Sequence, residues 1–151
     1  MTDSLGSTTI VQVGMVVADI ETSIDMFMQV FGLTERPRVS ETAGVEEAHT
    51  KYRGQPSEAR AKLAFIKMGQ VDIELIEPIG RPSTWGEFLD THGDGVHHIA
   101  FHVQGTDQVV TFLQGQGMPV VQQGDYPGGR YTYIESEKKL GVILELLENF
   151  K

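Results

Sequence analysis

The sequence contains no cysteine. Disulfide staples and thiolate metal ligands are therefore excluded, and the expected setting is cytoplasmic. Positive charge is scarce: 12 Lys and Arg stand against 21 Asp and Glu, for a formal net charge of −9. That balance argues against a nucleic-acid or anionic-membrane partner. It also leaves any phosphate or carboxylate ligand dependent on a few local cations. No apolar run approaches the roughly 18 residues of a membrane-spanning helix. The opening MTDSLGSTT is polar and reads unlike a signal peptide. What the chain does have is 40% hydrophobic residues in 151, enough for one domain with a real core.

The apolar pattern repeats. TIVQVGMVV reads as a strand, and DIETSIDMFMQVFG as a helix with Asp19 as N-cap and Gly32 as its stop. Ile20, Ile24, Phe27, Met28 and Phe31 form its apolar stripe. ARAKLAFIKMGQVDIELIEP reads as two strands around a Gly69-Gln70 turn. RPSTWGEFLDTHG predicts a short linking helix, about 83–93, with Thr84 and Glu87 as a capping box. The order then recurs: GVHHIAFHV is a strand, TDQVVTFLQGQG a helix, and MPVVQQG, GRYTYIES and GVILELLE are strands. Both halves, about 9–78 and about 95–150, read β-α-β-β-β. The expected fold is α+β, two tandem βαβββ modules forming a cup-shaped, mostly antiparallel sheet with helices on the outer face. Superposing Gln12 on His98 also superposes the helix stripes, whereas Glu74 meets Glu145 at a shorter offset. The first half is thus about fifteen residues longer between its landmarks, placed in the polar 40s and 50s.

Alternation along the strands assigns faces. Val11, Val13, Met15 and Val17 share one face of the first strand; Gln12, Gly14 and Val16 share the other. His97, Ile99 and Phe101 are assigned to the helix face, and His98, Ala100 and His102 to the opposite one. Glu74 lies with Asp72 and Ile76, and Glu145 with Ile143 and Leu147. Four strands thus each place one polar residue near mid-strand on the face away from the helices. A carboxylate flanked by Ile143 and Leu147 is costly to bury unless a cation or hydrogen bonds compensate it. One imidazole, two carboxylates and an amide oxygen suit a divalent ion such as zinc, nickel, cobalt or manganese.

On these residues the chain resembles the vicinal oxygen chelate superfamily, the glyoxalase, bleomycin-resistance and dioxygenase proteins. VQVGMVVADIETSIDMFMQVFGL, VDIELIEP, GVHHIAFHV and GVILELLE carry the likeness, which is greatest to methylmalonyl-CoA epimerase and its relatives. The resemblance implies one divalent metal ion held by Gln12, Glu74, His98 and Glu145, the set that alternation selects. Epimerases of this type usually begin with His where this chain has Gln12. The set Gln, Glu, His, Glu resembles that of glyoxalase I instead. Val16 and Pro78, however, stand where glyoxalase I carries an Arg and an Asn.

The resemblance implies a metal-dependent isomerase or epimerase that removes a proton beside a polarised carbonyl. Glu145 is the expected base, with Glu74 its symmetric counterpart. Lys62, assigned to the cup face, is expected to hold an anionic group or an enolate. Arg60, His102, Tyr131 and Tyr133 are further candidates for substrate contact. The expected partner is a small molecule, an acyl-CoA or another carbonyl compound, and the expected assembly a homodimer. A glyoxalase I-type lyase and a non-catalytic ligand-sequestering protein are the alternatives. An extradiol dioxygenase fits poorly, because its iron site takes two histidines and a carboxylate.

Overall fold

A computed structural model describes residues 2–150. In chain order the elements are β1 (Gln12–Val16), α1 (Ile20–Phe31), β2 (Ser40–Glu41), α2 (Val45–Ala48), β3 (Lys51–Tyr52), β4 (Gln55–Pro56), β5 (Arg60–Met68) and β6 (Val71–Ile79). There follow α3 (Thr84–His92), β7 (Gly95–His102), α4 (Thr106–Gly115), β8 (Val120–Tyr126), β9 (Gly129–Ile134), α5 (Glu137–Leu140) and β10 (Ile143–Asn149). The strands form one curled sheet in the order β2-β5-β6-β1-β7-β10-β9-β8-β3-β4. At its centre β1 and β7 run antiparallel, and each is flanked by a parallel partner, β6 beside β1 and β10 beside β7. This arrangement is two-fold, as the repeated sequence pattern requires.

The outer face is buried by two helices. Ile20 and Ile24 of α1 pack on Ala64, Ile66, Ile73 and Leu75. Val109 and Leu113 of α4 pack on Phe101, Leu144 and Leu146. Asp19 caps α1 by accepting from the amides of Glu21 and Thr22, and Gly32 closes it in the left-handed conformation. A second cap comes from the sheet: Glu77 accepts from the Ile20 amide at 2.9 Å. In the other half Glu148 does the same for the Thr106 amide at 2.9 Å. The stripe predicted on α1 ends sooner than expected, since Phe31 is 54% exposed.

The linking helix α3 does not join the outer layer. Trp85, Phe88 and Leu89 enter the concave side and pack with Val16, Ile76 and Ile143, plugging one end of the cup. Its N-cap is Ser83, which accepts from the Gly86 amide. Thr84 is therefore the first helical residue, not the cap that the sequence suggested. The long stretch in the first half also has a definite course. From β2 on one edge of the sheet, the chain crosses through α2 and adds β3 and β4 to the opposite edge, where Lys51 and Tyr52 pair with Gln123 and Gln122 of β8. Residues 42–50 are thereby a strap across the open side.

Candidate metal centre

The bend in β7 answers why GVHHIAFHV carries adjacent histidines. Gly14 of β1 pairs with His98, but Met15 pairs with Val96, so one residue of β7 is extra. A bulge of this kind turns two consecutive side chains toward one face. Both histidines are buried, and the His97 ring lies against Tyr133 and Phe88 of the concave side rather than under the outer helices. The assignment of His97 to the helix face fails here, because strict alternation does not survive a bulge.

His98 crosses over β1, and only glycine leaves it room. A Cβ on Gly14 would stand 2.0 Å from Cε1 of His98. In that position His98 Nε2 lies 3.1 Å from Glu145 Oε1 and 3.3 Å from Glu74 Oε1. One end of the Gln12 amide completes the group, 3.0 Å from each of those carboxylate oxygens and 3.1 Å from His98 Nε2. Presented as Oε1, it is the fourth lone-pair donor in the cluster. Turned over, its NH2 donates to the carboxylates. Cis ligands of an octahedral ion with bonds of about 2.1 Å lie about 3.0 Å apart, and tetrahedral ligands about 3.4 Å apart. The observed spacings fall in that range, and the donor set fits a divalent cation.

Electrostatics point the same way. Glu74 is 7% exposed, Glu145 4% and His98 0%. Burial pushes the Glu74 carboxyl up from its ordinary value, and Glu145 nearby adds to that, against the opposing pull of His98. For His98, burial favours the neutral ring, but the two carboxylates outweigh it and push the imidazole up to about 10. Two buried carboxylates thus demand positive charge at the point where Nε2 meets them. His97 supports the ring from behind. Its Nδ1 lies 2.9 Å from His98 Nδ1, and burial, together with His98, holds His97 well below the ordinary histidine value. A neutral His97 Nδ1 accepts the Nδ1 proton of His98. That leaves Nε2 as the atom facing Gln12 and the glutamates.

The cluster forms the floor of a cavity of about 440 Å³. Its wall is largely aromatic: Phe65, Trp85, Tyr126, Tyr131 and Tyr133. Two of the phenols have their oxygens engaged by fixed donors. Trp85 Nε1 donates to Tyr133 Oη at 3.0 Å. Gln122, whose Oε1 accepts from the Thr84 amide, donates through Nε2 to Tyr131 Oη at 3.0 Å. Each phenol keeps its own O–H proton to offer. Tyr133 lies directly opposite Glu145 on the neighbouring strand.

The structure thus brings together Gln12, Glu74, His98 and Glu145, with Tyr131 and Tyr133 in the wall above them. Three other candidates fall elsewhere. Lys62 pairs across the sheet with Glu77 and sits 3.6 Å from its carboxylate, on the helix side near the start of α1. Arg60 lies on the same side and is bound to Glu41. The face is set by register: Phe65 pairs with Glu74, and Leu63 and Phe65 point into the cup, which turns Lys62 and Arg60 to the other side. His102 is exposed beside the N-terminal segment, outside this cavity. Sequence reading missed Trp85, Phe65 and Gln122. The mid-strand pairing of Phe65 with Glu74 could have revealed the second of these.

Paired βαβββ modules around a buried carboxylate-imidazole cluster define a class of cup-shaped protein. A model of the Glyoxalase/Bleomycin resistance protein/Dioxygenase superfamily matches residues 11–134, and the chain belongs to that superfamily. It is 31% identical over 94 residues to YqjC of Bacillus subtilis strain 168, an uncharacterized protein, which covers 60% of this chain and 67% of that one. Among solved structures it is similar to the methylmalonyl-CoA epimerase of Mycobacterium tuberculosis, with a TM-score of 0.64 at 23% identity, covering 100% of this chain and 93% of that one. A Streptomyces coelicolor methylmalonyl-CoA epimerase variant in complex with 2-nitronate-propionyl-CoA gives 0.62 at 23% identity over 94% and 97%. At these identities the structural matches establish the fold. Among the described residues, no helix is long and apolar enough to cross a membrane.

Proposed function

We propose that this protein is a metal-dependent isomerase or epimerase that moves a proton at the carbon beside a carbonyl group. The observation that carries this reading is the convergence of four lone-pair donors from four strands on the floor of an aromatic-walled cavity. Gln12, Glu74, His98 and Glu145 would hold a divalent ion, whose chemistry there is to polarise a substrate carbonyl and acidify the neighbouring C–H bond. Glu145 takes the proton from that carbon. Glu74 is its symmetric counterpart for the proton transfer at the opposite face. Tyr133 and Tyr131 present O–H groups to oxygen, where negative charge develops. The wall and the strap exclude water while the carbanion equivalent exists.

The structural neighbours named as epimerases support the reaction class. A glyoxalase-type lyase would use the same donors and the same proton transfer. Its glutathione would have to be held without the basic residue that Val16 replaces, and Val16 is fully buried under α3. Two measurements test the proposal. Elemental analysis of protein purified without chelators should give near one divalent ion per chain, absent in His98→Ala. In deuterated solvent, α-proton exchange of a carbonyl panel that includes methylmalonyl-CoA should require Glu145. Exchange that persists in Glu145→Gln removes Glu145 as the base.

A further inference from the structure

Resting on the metal-site reading above, we infer that the cavity takes an uncharged aryl ketone bearing an α-proton, and excludes CoA thioesters and other anions. The argument is one of charge balance. A divalent ion on the floor is cancelled by Glu74 and Glu145, while Gln12 and His98 contribute neutral donors. The loaded floor therefore carries no surplus positive charge to hold a carboxylate or a phosphate.

The wall adds none. No Lys or Arg lines the cavity among the described residues. The cations near its mouth are already committed: Arg130 Nε lies 2.8 Å from Asp125 Oδ1, and His49 Nδ1 lies 2.9 Å from Asp125 Oδ2. Asp125 and Glu41 themselves line the cavity. An anion would meet neutralised pairs at the mouth, in a chain whose formal net charge is −9. An apolar body, by contrast, finds surface waiting. Phe65 lines the cavity while 48% exposed, and Leu63 and Leu147 lie on the same lining. Five aromatic rings suit a flat ring packed among them, and the two phenols offer donors to a carbonyl oxygen.

Trp85 is the only tryptophan in the chain and lines this cavity, so its fluorescence reports binding without any need for turnover. The probe is 2-hydroxyacetophenone, compared with methylmalonyl-CoA, on metal-loaded protein and on His98→Ala. The expected result is saturable quenching by the ketone at concentrations at least about tenfold below those at which the thioester acts. Replacing Asp125 with Asn frees Arg130 and His49, and should improve thioester binding severalfold. Tighter binding of the thioester to the unaltered protein, or no quenching by the ketone, overturns the inference. So does an Asp125→Asn variant that binds the thioester no better. Metal content measured on the same samples separates these outcomes from failure of the metal-site reading itself.

Discussion

Single residues set the geometry of the donor cluster, and Gly14 is the most restrictive of them. No alanine Cβ fits 2.0 Å from the His98 ring, so Gly14→Ala must displace either the ring or β1. The expected outcome is loss of bound metal with destabilisation of about 1–3 kcal/mol, read by elemental analysis and denaturant unfolding. His97 acts through His98. Without an acceptor at His98 Nδ1, the ring loses its fixed tautomer, and His97→Phe should weaken metal affinity by about 10- to 100-fold while the fold persists. A competitive chelator titration measures that, and unchanged affinity would assign His97 to packing alone. Glu148 supplies a pH test at the other face. The Thr106 hydroxyl and amide hold its carboxyl below the ordinary value of 4.5. A carboxyl with a depressed folded-state value contributes stability that is fully present above its unfolded value. That contribution is lost as pH falls through the folded one. Acid titration of Glu148→Gln should therefore show a shallower loss of stability below about pH 4.5 than the unaltered chain.

At the level of elements, the sequence disclosed most where alternation is regular. The strands carrying Gln12, Glu74 and Glu145 point as their spacing dictates, since none is bulged at its polar residue. Helix caps at Asp19 and Gly32 were equally plain, because a short acceptor side chain and a left-handed glycine are local signals. Three features escaped because they are not local. The bulge beside His98 exists only in the pairing of β7 with β1. The face of Lys62 depends on which side of β5 meets Glu74, and that is fixed by register rather than composition. The helix α3 looked like a linker, yet its apolar residues had to be buried somewhere, and the mouth-to-floor space of the cup was free. Its cap gives a direct test. Ser83→Ala removes an N-cap bond worth about 1 kcal/mol, and loosening Trp85 from Tyr133 should redshift its emission. An unshifted spectrum would show that packing alone seats the helix.

For the whole molecule, the repeat could be read because both modules keep the same polar positions. Even their helix caps match, Glu77 for α1 and Glu148 for α4. The destination of the surplus residues in the first half could not be read, since nothing in their composition says that they reach β8. A cation that binds only the folded cup must stabilise it by linkage. Adding the cognate metal at about 100 times its dissociation constant should contribute about 2.7 kcal/mol, seen as a rise in Tm that His98→Ala abolishes. A metal-independent Tm in both proteins would count against the site.

The strap has a consequence of its own. The segment that shuts the cup is tied to β8 by a ladder of two residue pairs, by the Arg53 amide on the Val121 carbonyl and by His49 on Asp125, while every donor sits on one of the four central strands. Hydrogen exchange should accordingly find the amides around Tyr52 and Arg53 opening well before those of β6 and β7. Traffic through the mouth and chemistry at the floor are thus separate mechanical events. Substitutions in residues 42–56 can retune how fast a ligand comes and goes, or how large a ligand is admitted, without disturbing a single donor atom. A duplicated scaffold built this way can change clientele by altering only the half that grew.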